Sequence, residues 1–222
     1  MKNINYLYFR IFIIILLILY LYTIIIKRYY FVRYHFLNKE LIDEIYFKIT
    51  SEKKWLYTTN IGNEKIKNNI DIVKRKQNAI EMYNKGFFSY SKYEYENNTY
   101  IVNKIKNVLN RSCILEKVSN IVGEKITKVM DIFISKYEYG DFLSIHDDKT
   151  LGKYAFMIYL NKNWNKNCGG NLNIIRNNNT IDTITPEYNK LILFDIYSRE
   201  RLHYIDINNC NRNRYAITGW FA

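Results

Sequence analysis

Residues 11 to 26 carry no charge, no glycine and no proline, and are almost wholly Ile, Leu, Phe and Tyr. Ile4 to Phe9 extend the apolar run and Arg10 can snorkel to a headgroup, so the stretch from residue 4 reaches the ~20 residues a membrane-spanning helix needs. Lys27-Arg28-Tyr29-Tyr30, a basic and aromatic interface pattern with no small-residue cleavage site, follows directly, which predicts a retained signal anchor. From about Leu37 to Thr127 the pattern is mainly helical. Leu37, Leu41, Ile42, Ile45 and Tyr46 recur at helical spacing, as do Ile101, Ile105, Val108 and Leu109, ahead of Ile114 to Ile121. The stretches Trp55 to Thr59 and Phe87 to Tyr95 read as strands or loops bordering a site.

Beyond residue 130 the period shortens to two. Short apolar runs lie at Ile132–Tyr139, Asp141–His146, Tyr154–Leu160, Asn171–Ile175, Lys190–Asp195, Leu202–Ile207 and Arg214–Phe221, divided by loops rich in Asn and Gly and by the lone Pro186. Regularly spaced short strands predict a sandwich or jelly roll. The expected organisation is an N-terminal tail (1–10), a transmembrane anchor (11–26, from 4 at the longest), a mainly helical support region (27–130) and a C-terminal β domain (131–222) in an α+β fold.

The net charge of +12 raises the question of nucleic acid. Between Asp131 and Ala222 there are 11 Lys and Arg against 10 Asp and Glu, so +11 belongs to the anchor-proximal region, where anionic lipid headgroups explain it equally well. Lys27, Arg28, Arg33 and Lys39 outnumber Lys2 and Arg10, which favours a cytosolic C-terminal side, with a luminal side as the alternative. The sequons at Asn97, Asn110 and Asn178 arise readily in an Asn-rich chain and do not decide between the two. Cys113, Cys168 and Cys210 are an odd set without metal spacing, so free thiols are expected.

Candidate chemistry starts at Ile145-His146-Asp147-Asp148. On a strand, Phe142, Ser144, His146 and Asp148 share one face and Leu143, Ile145 and Asp147 the other, so His146 pairs with Asp148. Of the three His, His35 lies just after the anchor, which leaves His203 as the second imidazole. Two imidazoles and a carboxylate on one side of Fe(II) leave adjacent positions open. In the last strand Arg214, Ala216, Thr218 and Trp220 share a face, so a guanidinium and a hydroxyl point the same way, as a carboxylate receptor requires. Taken alone, Arg214 reads first as a solvated charge on an edge strand.

Five blocks taken in order carry a resemblance. They are Tyr137-Glu138-Tyr139-Gly140-Asp141-Phe142-Leu143 leading to His146-Asp147-Asp148; Tyr159-Leu160-Asn161-Lys162-Asn163-Trp164; Cys168-Gly169-Gly170-Asn171-Leu172; the His203 segment; and Arg214-Tyr215-Ala216-Ile217-Thr218 with Trp220. From about Ser135 to Ala222 the chain resembles the catalytic domain of Fe(II)- and 2-oxoglutarate-dependent dioxygenases of the prolyl-hydroxylase type. The second and third blocks are similar to the hypoxia-inducible-factor enzymes, and the Asp-Asp and Gly219-Trp220-Phe221 are similar to the ribosomal-protein enzymes.

The resemblance implies a double-stranded β-helix (jelly roll, cupin-like) packed on the N-terminal helices. It implies iron bound by His146, Asp148 and His203, and the distal carboxylate of 2-oxoglutarate held by Arg214, with Tyr159 helping there. Tyr137 would stand near the other end of the cosubstrate and Thr218 beside the Arg. With 22 Tyr in the chain, packing is the ordinary role of any one of them. The implied reaction takes Fe(II), 2-oxoglutarate and O2, with ascorbate as reductant, and returns succinate, CO2 and a hydroxylated prolyl residue of a protein or peptide. Asp148 argues against a halogenase, which lacks the acidic ligand. Trp220 stands where oxygenases that repair alkylated bases carry a second Arg, so nucleic acid is not the expected partner. The alternatives are the same chemistry on another side chain or a small molecule, and a membrane-anchored jelly-roll binding module without turnover.

Overall fold

A computed structural model describes residues 12–17, 30–62, 64–149, 151–176, 180–196 and 202–222. Most of the expected anchor, 11–26, lies outside the described residues. Residues 12–17 are helical and exposed, and among the described residues no helix is long and apolar enough to cross a membrane.

Twelve strands are described: β1 (Phe31–Arg33), β2 (Trp55–Ile61), β3 (Glu64–Lys67), β4 (Ser89–Tyr95), β5 (Val129–Tyr137), β6 (Phe142–His146), β7 (Tyr154–Tyr159), β8 (Leu172–Ile175), β9 (Ile181–Ile184), β10 (Leu191–Asp195), β11 (His203–Ile205) and β12 (Arg214–Phe221). They pair in the order β1-β10-β7-β12-β5-β4-β6-β11-β8-β9, with β2 on β4 and β3 on β2, and the pairings are antiparallel. This antiparallel sheet curls on itself. β4 passes from Tyr93–Glu94 on β5 to Tyr90–Ser91 on β6 and so joins two halves. Met157, Ile192, Phe194 and Ala216 from one half then pack with Leu172, Ile174 and Ile184 from the other, as the jelly-roll expectation requires.

The outer face of the β5-β12-β7-β10 half is covered by helices. In the Lys39–Ser51 helix, Asn38 caps the first turn by accepting from the Leu41 N–H at 3.1 Å, and Ile42, Ile45 and Ile49 form the buried stripe. Ile101, Ile105 and Leu109 of the Tyr100–Leu109 helix and Val118 of the Ser112–Val122 helix join them against Ile132, Ile134, Ile158 and Ile217 of the sheet. The expectation of helices packed behind a sheet is met; β2 and β4 fall on the two stretches read as strands or loops, and β1 and β3 are additional strands. The strands expected after residue 130 are all present within a few residues of their expected ends. Ile181–Ile184 is an additional strand, short and half exposed, so its periodicity is faint.

Two expectations are corrected. Cys168 and Cys210 form a disulfide, their Cα atoms 4.9 Å apart across 42 residues of sequence, and only Cys113 is free. Topology, which spacing alone does not show, brings the pair together. Arg214 lies on a strand held by β5 along its length and by β7 from Ala216 onward, so the solvated edge-strand reading is excluded, and the residue is fully buried.

Candidate active site

His146 ends β6 and His203 begins β11, and the two stand directly opposite each other in the β6–β11 ladder. The ladder shifts register between this pair and Leu143–Ile205, so β6 holds one residue more than β11 over that stretch. Such a bulge re-aims side chains. It corrects the simple alternation expected for β6: Leu143, not Phe142 or Ser144, lines the cavity with His146. Phe142 instead meets the Tyr83 ring at 4.9 Å, and the Ser144 hydroxyl accepts from the Ser89 N–H at 2.9 Å.

Asp148 follows the strand and turns back toward both rings. Its Oδ1 is 3.5 Å from His146 Nε2 and its Oδ2 3.7 Å from His203 Nε2, with the donor atoms of all three residues within 4.8 Å of one another. Ligands held at ~2 Å from one ion sit ~3–4 Å apart, and the two carboxylate–imidazole approaches have that spacing. His146 Nδ1 is 3.0 Å from the Ser144 carbonyl oxygen; an N–H there leaves Nε2 with its lone pair toward the cluster. The Trp220 indole N–H donates to Asp148 Oδ2 at 3.2 Å and fixes the carboxylate. Burial raises the Asp148 pKa, but the His146 contact and the nearby His203 outweigh it and hold it below the usual range.

The three ligand candidates open on a cavity of about 430 Å³. Tyr137 and Thr218 line the same cavity. Behind Tyr137 lies Arg214, with its guanidinium carbon 4.8 Å from the Tyr137 ring centre and 5.2 Å from that of Tyr159. Arg214 Nε donates to the Gly170 carbonyl at 2.7 Å, while its two terminal nitrogens are buried without a hydrogen-bond partner among the described residues. A buried guanidinium with two parallel N–H donors left over is matched to a carboxylate. Burial raises both tyrosine pKa values against the lowering effect of Arg214, Tyr159 to about 12, so both hydroxyls remain protonated donors. The Tyr159 hydroxyl lies 3.4 Å from Met157 Sδ.

The structure thus brings His146, Asp148 and His203 together at one end, with Arg214, Tyr159, Tyr137 and Thr218 on the neighbouring half of the curl. His35 is exposed and outside the group. Sequence reasoning did not single out the Lys92–Glu94 pair on the β4 wall, 3.2 Å apart, with Lys92 Nζ 4.2 Å from the Phe133 ring centre. The alternation of Tyr90, Lys92 and Glu94 was the available signal, since all three line the cavity. It also missed Trp220 as a partner of Asp148, although Trp220 shares the strand face of Arg214.

Residues 132–222 match the family model of the 2OG-Fe(II) oxygenase superfamily. Over 112 residues, 47% of this chain, the sequence is 30% identical to the Xenopus laevis prolyl 3-hydroxylase OGFOD1, and the Mus musculus protein of that name is 29% identical over the same length. The matched part spans about a fifth of those relatives, 22% and 20% of their lengths. The fold is shared with a 2OG-Fe(II) oxygenase family oxidoreductase from Burkholderia pseudomallei, 10% identical with a TM-score of 0.61 over 88% of this chain and 86% of that one. It is shared also with a Pseudomonas putida prolyl-4-hydroxylase, 13% identical with a TM-score of 0.56 over 88% and 92% of the two chains. The sequence likeness to the 2OG-Fe(II) oxygenase superfamily lies in the C-terminal part of the chain, residues 132–222.

Proposed function

We propose that the protein is an Fe(II)- and 2-oxoglutarate-dependent dioxygenase that hydroxylates a prolyl residue of a protein or peptide. The observation that carries this is the buried Arg214, its two terminal nitrogens unpaired among the described residues, behind a cavity lined by the His146, Asp148 and His203 donors. When bound, Fe(II), 2-oxoglutarate and O2 supply the oxidising chemistry and leave succinate and CO2. His146, Asp148 and His203 would hold the metal. Arg214 would take the distal carboxylate of the 2-oxo acid, with the Tyr159 hydroxyl as a further donor. Both groups are buried, so a carboxylate bound there would be held away from water, where orientation is retained. Tyr137 and Thr218 line the space between the two ends, and Phe88, Leu151 and Trp220 bound the mouth.

The relatives named prolyl 3-hydroxylase support a prolyl substrate. The full chain supplied with Fe(II), ascorbate and 2-oxoglutarate is expected to form succinate and to add one oxygen, about 16 Da, to a prolyl peptide. Succinate no higher than that of a His146→Ala control across diverse prolyl peptides would sink the reading. The uncharged run 11–26 supports a single-pass membrane anchor. The basic residues after it favour a cytosolic catalytic domain, while the Cys168–Cys210 bridge favours an oxidising compartment. Protease protection of sealed vesicles distinguishes the two sides, and release by alkaline carbonate would remove the anchor altogether.

A further inference from the structure

We propose that the Cys168–Cys210 disulfide is a positioning device for the 2-oxo acid, acting through Gly170 on Arg214; this rests on Arg214 being the carboxylate receptor. The bridge joins two loops, and each loop grips one side of the Arg214 pocket. From the first loop, the Gly170 carbonyl accepts from Arg214 Nε at 2.7 Å, which fixes the plane of the guanidinium and hence the direction of its two free N–H groups. From the second, Asn208 Nδ2 donates to the Tyr137 carbonyl at 3.0 Å, the Asn208 N–H donates to the Asp141 carbonyl at 3.0 Å, and the Asn208 carbonyl accepts from the Gly140 N–H at 2.7 Å. That loop therefore holds the end of β5 whose Tyr137 ring lies under the guanidinium.

The link between the two loops depends on two consecutive glycines. Gly169 and Gly170 have φ of +67° and +65°, which side chains rarely adopt. A Cβ on Gly169 would lie 2.0 Å from the Ile207 carbonyl oxygen, and one on Gly170 would lie 3.1 Å from Arg214 Cδ. The chain is thus threaded between residue 207 and Arg214 by the residues with the greatest backbone freedom. A covalent tether one residue before them, reinforced by the Asn209 N–H donating to the Cys168 carbonyl at 2.7 Å, restrains that freedom where the receptor geometry is set. The metal donors are reached only indirectly, through β11 paired with β8 and through β6 after Asp141, whereas Gly170 bonds Arg214 itself, so the tether bears first on the receptor end.

The test measures binding without turnover, on the full-length chain in mild detergent, with Mn(II) as the metal probe and 2-oxoglutarate as the second ligand, by calorimetry. In the unreduced protein, unfolded before titration, one free thiol is expected, that of Cys113; three free thiols would overturn the proposal. Cys168→Ser/Cys210→Ser is expected to raise the Kd of 2-oxoglutarate about three- to tenfold while leaving the Mn(II) Kd within about twofold. The wild type reduced with a phosphine is expected to do the same, and gives the reading if the double variant does not accumulate. An unchanged 2-oxoglutarate Kd overturns the positioning role, and so does an equal weakening of Mn(II), which marks general loosening. Failure of the oxidised wild type to bind 2-oxoglutarate at all overturns the Arg214 reading, and this proposal with it.

Discussion

The metal end and the anchoring end of the site solve opposite electrostatic problems. His146, Asp148 and His203 already partner one another, with approaches of 3.5 and 3.7 Å, and they line the cavity beside the β6–β11 ladder. Arg214 lies in the interior on β12, with aromatic faces against it and two donors unspent among the described residues. Taking a guanidinium out of water is unfavourable by several kcal/mol unless a partner is supplied. The first end has its donors partnered without an ion; the second has two buried N–H groups that a ligand would satisfy. Metal ligation should therefore be judged by loss of function, and the anchor by the opposite signs of its effects on binding and on stability.

The largest effect is expected at the metal end. His203→Ala removes a donor, and since loss of a mere supporting partner lowers metal affinity by about 10- to 100-fold, loss of the ligand itself should exceed ~100-fold and abolish succinate formation. Measured Mn(II) affinity within tenfold of wild type would break the assignment. Next comes Arg214→Met. The Kd of 2-oxoglutarate should rise by about 10- to 100-fold, because a charge-assisted pair is lost. The ligand-free protein should melt no lower than wild type, because a buried charge is removed together with its single carbonyl contact. A fall in ligand-free Tm of more than about 5 °C would make Arg214 a structural residue instead.

What the chain displayed in advance follows the same division. Periods of two and 3.6 are local, so the seven expected strands and the helical stripes were legible, as were the shared face of Arg214 and Thr218 and the pairing of His146 with Asp148. Features decided by a distant partner were not. The bulge that turns Leu143 into the cavity is a property of β6 against β11, and neither strand alone shows it. The bridge between Cys168 and Cys210 depends on a return of the chain 42 residues later. Lys92 and Glu94 look in sequence like an ordinary solvated strand face and become a cavity wall only because β4 spans the two halves of the curl. Arg214 looked equally like a surface charge until the strands on either side of it were in place.

Trp220→Phe tests whether the metal end is held from the anchoring half, since Trp220 shares β12 with Arg214 while its indole N–H reaches Asp148 at 3.2 Å. Phe keeps the aromatic bulk and deletes the donor. Mn(II) affinity should fall about tenfold, with 2-oxoglutarate affinity in the metal-loaded protein reduced by less. Equal losses for both ligands would mean that the ring packs the whole cavity rather than orienting one carboxylate.

The smallest effect concerns the wall between the two ends. Burial by itself pushes the Glu94 carboxyl up, but Lys92, Lys67 and Lys65 together outweigh it and bring its pKa down to about 2 from an ordinary 4.5. A carboxylate whose folded pKa is depressed adds stability above its unfolded pKa and loses it as pH falls toward the folded one. The Glu94 contribution should therefore be constant above about pH 5 and fade between pH 4.5 and pH 2. Glu94→Gln removes the titration and leaves the buried Lys92 ammonium without its 3.2 Å partner. The variant should be less stable than wild type by roughly 1–3 kcal/mol at pH 7, with the gap closing in acid, as denaturant unfolding at a series of pH values would show. A gap that stayed constant down to pH 3 would assign the loss to packing. The β4 wall would then act as a surface of fixed shape, and its charges would contribute nothing to holding the two halves of the site together.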